Sequence, residues 1–290
     1  MKKIELLLIF SIITFISIFS FSNEINMLRM IFLFRRIQYK IKAPKDSIFS
    51  LSVKNIVPCP KDSLNLAYFG QSNHGNNIKR NNNLIINNEN IFMYDWRTNL
   101  CSQYKEPLAG PDGRRGFGHI ATDNINSLLK KYSYKGKILV MGFSKGGSIA
   151  EQWAKGELFN SLDLILERLK NKKIKIDYVF WHQGESENKN PSEKYLNQYK
   201  KDLKFVFQKF FDNYPDIYIG MALVSRCNSQ RSKSLLDIQR SIIKDDKRIF
   251  LTLNTDNLGN DFRYDNCHFN WLGSKRIGED YSDLIHKLNY

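Results

Sequence analysis

A serine hydroxyl becomes a useful nucleophile only when a histidine within hydrogen-bond reach takes its proton and a carboxylate holds that ring in the right tautomer. This chain offers such a set. Ser72 stands in Gly70-Gln71-Ser72-Asn73, directly after an apolar run, and His268 stands three residues after Asp265 in Asp265-Asn266-Cys267-His268. That spacing lets the Asp265 carboxylate reach the imidazole from one short loop. The implied chemistry is attack on an ester carbonyl, which needs N–H donors facing the developing oxyanion. The amide of Ser72, the amides of Gly146-Gly147 and the side-chain amide of Gln183 are candidate donors. Gln183 lies in His182-Gln183-Gly184-Glu185-Ser186-Glu187. A rival nucleophile is also present. Gly142-Phe143-Ser144-Lys145-Gly146 matches the Gly-x-Ser-x-Gly elbow that some α/β enzymes place between a strand and a helix. On that reading Ser144 replaces Ser72, but the Gly-Gln-Ser-Asn and Gln-Gly-Glu segments are then left without a role.

These residues need elements to bring them together. Short buried strands are expected at 64–69, 91–94, 137–141, 176–181, 217–223 and 249–253. Helices are expected at 119–131, 148–155, 162–169, 235–243 and 271–288. Between 190 and 210, Asn190 is a cap and Pro191 suits the first turn, while Leu196, Tyr199, Leu203, Val206 and Phe210 form one apolar face. Strands alternating with helices predict a parallel sheet covered on both faces. Right-handed crossovers then put the loops after the strands on one edge. The four polar clusters that begin at Gly70, Gly142, His182 and Asp265 all fall on that edge. Each short motif is weak alone, and their shared placement carries the reading.

With 290 residues, 42% hydrophobic and 13% aromatic, the chain has material for one substantial domain and its core. The net charge of +15 suits an acidic partner, or reflects a composition rich in Lys, Asn and Ile. No basic–aromatic interleaving or helix-turn-helix pattern points to nucleic acid. Residues 1–22 read as a signal peptide or membrane anchor: Lys2 and Lys3 precede an apolar run ending near Ser22. Residues 23–60 form a basic extension, and 61–290 the catalytic domain. Export, with the leader cleaved or kept as an anchor, is the expectation. Basic residues after Met27–Phe34 also fit a cytoplasm-facing anchor. Cys59, Cys101, Cys227 and Cys267 make no Cys-x-x-Cys pair, and the five histidines show no metal spacing, so neither metal nor cofactor is expected. The four cysteines fit two disulfides in any of three connectivities, or four buried thiols.

The ordered set Gly70-Gln71-Ser72-Asn73, Gly146-Gly147-Ser148-Ile149 with Trp153, Trp181-His182-Gln183-Gly184-Glu185-Ser186 and Asp265-x-x-His268 resembles the SGNH hydrolases of the sialate O-acetylesterase and carbohydrate esterase family six group. Leu108–Asp112 with Phe117-Gly118 resembles that group's second block. The resemblance runs from about residue 64 to 288. It implies a flavodoxin-like three-layer α/β/α sandwich with a central parallel sheet, and removal of O-acetyl groups from an acetylated carbohydrate without a metal. Ser72 is then the nucleophile and His268 the base. Gly147 and Gln183 are oxyanion donors, and Gln71 and Asn73 line the substrate side. The carboxylate behind His268 stays open between Asp265 and Glu185. Cys267 reads either as a disulfide partner of Cys227 or as a small buried residue. Two other functions use the same residues: transfer of an acyl group to a glycan, and glycan binding without turnover.

Overall fold

A computed structural model describes residues 55–289 apart from 82, 83, 85, 115, 189, 190 and 229. The leader expected at 1–22, and residues 23–54 of the basic extension, lie outside the described residues. Among the described residues no helix is long and apolar enough to cross a membrane.

Eight strands form one sheet: β1 (Ile56–Val57), β2 (Ser63–Gly70), β3 (Ile91–Asp95), β4 (Leu100–Gln103), β5 (Lys137–Ser144), β6 (Tyr178–His182), β7 (Tyr218–Leu223) and β8 (Ile249–Asn254). Their order is β1-β4-β3-β5-β2-β6-β7-β8. From β3 to β8 every pairing is parallel, as the alternation of elements predicts. The exception is one edge, where β4 runs antiparallel to both β3 and β1. Both of these short edge strands escape the sequence pattern, because few residues leave little periodicity to read.

β2 shows why the sheet is buried on both faces. Leu66 and Tyr68 pack into one apolar cluster, Ala67 and Phe69 into the other, following the two-residue period of a strand. Helices α1 (Ile120–Lys130) and α6 (Trp271–Asn289) cover the Tyr68 face. Helices α2 (Ala150–Lys155), α3 (Glu157–Asn171), α4 (Glu193–Asn213) and α5 (Lys233–Asp245) cover the Phe69 face. The three-layer α/β/α architecture is therefore the one expected.

Helix α4 illustrates the local logic. Leu196, Tyr199, Leu203, Val206, Phe207 and Phe210 recur at helical spacing and are all buried. Its cap is Ser192, whose hydroxyl accepts the Tyr195 N–H; Asn190, the expected cap, lies outside the described residues. Pro191 therefore precedes the cap, where its missing N–H has no helical carbonyl to serve.

After β2 the chain goes to β3 and β5 on one side; it reaches β6, β7 and β8 on the other. The turn leaving β2 thus sits where the direction of winding reverses, the place where open α/β sheets form crevices.

Candidate active site

Ser72 follows β2 at this reversal. Gly70, the last residue of β2, has φ +139°, and a Cβ there would lie 2.1 Å from the His182 carbonyl oxygen. Only glycine lets β2 and β6 approach this closely, and the Gln71 N–H then donates to that carbonyl at 2.8 Å. Residues Ser72–His74 form one 3-10 turn. His74 anchors it from beneath. Its Nδ1–H donates to the Phe69 carbonyl at 2.9 Å, and its Nε2 accepts from the Tyr281 hydroxyl at 2.6 Å. Burial depresses its pKa to about 3, so it stays neutral. His119, also neutral by burial with a pKa of about 3, donates to the His74 carbonyl at 3.0 Å.

Across from this turn, the loop between β8 and α6 brings in His268. His268 Nε2 lies 3.0 Å from Ser72 Oγ. His268 Nδ1 lies 2.8 Å from Asp265 Oδ2, and a carboxylate can only accept there, so Nδ1 carries the proton and Nε2 is free to take one. Asp265 Oδ1 also accepts the backbone N–H groups of His268 at 2.7 Å and Cys267 at 3.2 Å. Burial works against the charged carboxylate, but these hydrogen bonds with His268 outweigh it and its pKa lies below the usual value. Glu185 does not meet His268. Its Oε1 accepts from Asn73 Nδ2 at 2.7 Å, and burial raises its pKa.

The third cluster follows β5. Gly70 and Ser144 are register partners on adjacent strands, so the two serines leave the sheet side by side. Ser144 is buried, and its hydroxyl donates to Asp112 Oδ1 at 3.1 Å, with no histidine in contact. The other Asp112 oxygen accepts the Gly146 N–H at 2.7 Å, which removes Gly146 from the candidate donors. A Cβ on Gly146 would lie 3.6 Å from Ser72 Cβ, so this turn borders Ser72. Gly147 adopts φ +70°, the left-handed conformation that favours glycine. Among the described residues neither the Gly147 N–H nor the Ser72 N–H has a hydrogen-bond partner.

Three polar residues expected to face substrate are placed otherwise. Gln183 is buried, and its Nε2 donates to Glu187 Oε1 and Oε2 at 2.7 and 2.6 Å, and to the Ser148 carbonyl at 3.3 Å. An amide committed to a carboxylate has no N–H left for an oxyanion, which corrects its expected role. Glu187 also accepts the Ala150 N–H at 2.7 Å, tying the Gly147 turn to the β6 loop; burial raises its pKa to about 7. Asn73 is fully buried. It donates to Glu185 and to the Cys267 carbonyl, and accepts the Phe269 N–H at 3.1 Å, so it joins the β6 loop to the His268 loop. Gln71 is buried too, its Oε1 accepting the Ser186 N–H at 3.4 Å. These side chains brace the site from behind.

Arg263 and Tyr264, residues not singled out from sequence, complete it together with Arg114. Buried Arg263 donates to the carbonyls of Cys267, Thr255 and Leu258, and its guanidinium lies 4.3 Å from the Phe269 ring centroid. The Tyr264 ring stacks with His268 at 5.9 Å. Arg114 lies over Tyr264 at 5.5 Å and Phe117 at 5.8 Å, with Nη2 3.7 Å from Asp265 Oδ2. Nothing in the spacing of Arg263 or Tyr264 signals these contacts; they arise where the loop folds on itself. Among the described residues no group of three or more His, Cys, Asp or Glu is placed to hold a metal ion.

A family model described as "Carbohydrate esterase, sialic acid-specific acetylesterase" matches residues 67–287. Among curated proteins no sequence matches. Among solved structures, a protein from Arabidopsis thaliana is similar with a TM-score of 0.60 and 14% identity, covering 78% of this chain and 98% of that one. A carbohydrate acetylesterase from Xanthomonas citri is similar with a TM-score of 0.52 and 12% identity over 75% of this chain. This chain spans about half of the Xanthomonas protein, 54%. At such identities the two structures speak for the fold alone.

Proposed function

Because the chain belongs to the sialic acid-specific acetylesterase family of carbohydrate esterases, and is thus a carboxylic ester hydrolase, we propose that it removes O-acetyl groups from carbohydrate with Ser72 as nucleophile, His268 as general base and Asp265 as the orienting carboxylate. One observation carries this assignment: the continuous line from Ser72 Oγ to His268 Nε2 at 3.0 Å, and from His268 Nδ1 to Asp265 Oδ2 at 2.8 Å.

In this reading His268 Nε2 takes the Ser72 proton as Oγ attacks the acetyl carbonyl. The negative charge that develops on the carbonyl oxygen meets the Ser72 and Gly147 N–H groups, both without a partner among the described residues. The imidazolium returns its proton to the departing sugar oxygen, leaving Ser72 acetylated. Water, activated by the same imidazole, then releases acetate and restores Ser72. Asp265 stays ionised throughout, in keeping with its lowered pKa.

Two further features support narrower readings. Arg114 sits beside Asp265 on an aromatic platform and is half exposed, which suits a sugar carrying a carboxylate, such as a sialic or uronic acid, better than neutral xylan. The disulfides Cys59–Cys101 and Cys227–Cys267 suit an oxidising compartment and so favour export.

The test is acetate release from O-acetylated sialic acid, acetylated xylan and 4-nitrophenyl acetate, with wild type and Ser72→Ala. Release that survives Ser72→Ala would discard the nucleophile assignment. Faster acetyl loss on adding a sugar acceptor, with acetyl recovered on that sugar, would favour acyl transfer over hydrolysis. Binding without release would favour a glycan-binding module.

A further inference from the structure

The two disulfides stand in different relations to the site. Cys59–Cys101 joins the segment after β1 to β4, at the antiparallel edge of the sheet. Cys227–Cys267 reaches into the site itself, since Cys267 lies between Asp265 and His268.

The segment carrying these two residues is long and irregular. Residues 255–270 contain two single 3-10 turns, Thr255–Asn257 and Asn260–Phe262, and two isolated β-bridges, Arg263 with Phe269 and Asn270 with Lys79. Asn266 takes φ +63°, so the chain turns sharply just before Cys267. Such a segment has little regular structure to fix it, and the geometry it must hold is the hydrogen bond from the Ser72 hydroxyl to His268 Nε2.

Cys227, at the other end of the bridge, belongs to a firmly held segment. Ser225 and Arg226 donate their backbone N–H groups to Asp256 Oδ1 at 2.8 and 2.7 Å, and the Ser225 hydroxyl donates to Asp256 Oδ2 at 2.5 Å. Asn188 Nδ2 donates to the Ser225 carbonyl at 2.6 Å, which joins this segment to the β6 loop. Cys227 and Gln230 exchange both backbone hydrogen bonds, at 3.2 and 3.0 Å. Asp256 thus already joins the two loops at the start of the 255–270 segment, and the disulfide ties them again at its far end, beside His268, with Cα atoms 4.3 Å apart. The Cys267 carbonyl receives further donors from Asn73 and Arg263, so three ties converge on the residue next to His268.

Taking Ser72, His268 and Asp265 in the roles proposed above, we propose that the Cys227–Cys267 disulfide is a positioning device for catalysis. It holds the Asp265–His268 segment so that Nε2 stays on Ser72 Oγ, and severing it uncouples base from nucleophile in a protein that remains folded. Misplacement of a reacting group by 1 Å can cost about 10²-fold in rate, so loosening this loop acts on turnover more than on stability. Cys59–Cys101 contributes stability without that effect.

The experiment compares wild type, Cys227→Ser/Cys267→Ser and Cys59→Ser/Cys101→Ser on 4-nitrophenyl acetate, with circular dichroism and thermal melting for the fold. The rate at which a fluorophosphonate labels Ser72 is followed as well. The expected result for Cys227→Ser/Cys267→Ser is a native spectrum, kcat and labelling rate lowered at least about tenfold, and KM little changed. Cys59→Ser/Cys101→Ser should melt earlier with kcat near wild type.

A second measurement does not depend on the variant folding. Wild type is reduced stepwise with tris(2-carboxyethyl)phosphine, which becomes the phosphine oxide as each S–S bond takes up two electrons and two protons from the phosphine and water. Alkylation of each cysteine is then read by mass spectrometry. Activity should fall with alkylation of Cys227 and Cys267, and recover on reoxidation when alkylation is omitted. Wild-type kcat and labelling rate in folded Cys227→Ser/Cys267→Ser would overturn the proposal, as would activity that survives full reduction of that bridge. A different failure, an oxidised wild type whose activity survives Ser72→Ala, would strike the proposed function itself.

Discussion

Ser144 ends β5 opposite Gly70, two residues before Ser72 on the adjacent parallel strand, yet the two hydroxyls meet different partners. Ser72 faces His268 at 3.0 Å, whereas Ser144 donates to Asp112 and is sealed beneath the Gly146–Gly147 turn. Local sequence does not separate them: a glycine precedes each by two residues, and each lies at or just past the end of a buried strand. What separates them is the element packed opposite. The β8–α6 loop comes down over the end of β2, while Asp112 comes over the end of β5. A hydroxyl beside a neutral imidazole can be deprotonated. One beside a carboxylate that also binds a backbone amide can only brace a turn.

The contrast is broken most directly at the Ser72 side. Ser72→Ala and His268→Ala should each lower kcat by about 10⁴–10⁶-fold with little change in the melting curve, measured on 4-nitrophenyl acetate. Asp265→Asn keeps the shape but lets Nδ1 act as acceptor, so a loss of about 10⁴-fold in kcat is expected. A loss under tenfold there would reopen the question of which carboxylate serves His268.

Asp112→Ala frees both Ser144 and the Gly146 N–H. If the turn matters because it presents the Gly147 amide, kcat should drop about 10²-fold, while KM for a small ester barely moves. Ser144→Ala removes only one hydrogen bond to Asp112. It should cost about 1 kcal/mol of stability by chemical denaturation and leave kcat within about tenfold of wild type. An inactive but folded Ser144→Ala protein would reverse the roles of the two serines.

The smallest effect concerns the brace behind both turns. Burial raises the Glu187 pKa from the usual 4.5 to about 7, so the folded protein holds a proton that the unfolded chain has already lost. Its contribution to stability is complete below about pH 4.5 and is lost as pH rises through about 7. Glu187→Gln cannot titrate, so the fall in melting temperature across that interval should be shallower than in wild type. An unchanged slope would show that Glu187 is ionised over the whole range.

Much of the site is legible in the residues themselves. Strand–helix alternation puts the clusters at Gly70, Gly142, His182 and Asp265 on one edge of a parallel sheet, because right-handed crossovers leave no other arrangement for the loops after the strands. The three-residue spacing of Asp265 and His268 already fits a carboxylate to the ring that it meets. The direction of polar side chains is not legible in the same way. Gln71, Asn73 and Gln183 sit beside candidate site residues in sequence and read as substrate-facing, yet each turns inward: Gln71 and Asn73 to Ser186, Glu185 and Phe269 from far along the chain, and Gln183 to Glu187 of its own loop and to Ser148.

The sequence by itself therefore determined the type of fold, the family resemblance and the residues that could supply nucleophile, base and carboxylate. These follow from period, spacing and side-chain chemistry, all local properties. Only the tertiary structure decided which serine meets the histidine, which carboxylate meets Nδ1, which amides stay unpartnered and which cysteines join. The serine–histidine contact and the disulfides depend on segments distant in the chain coming together, within about 3 Å for a hydrogen bond, while Asp265 keeps His268 because Glu185 is turned to Asn73 instead. No local pattern records that arrival. The turn at Ser72 is set by β2, but its chemistry is set by a loop 196 residues away.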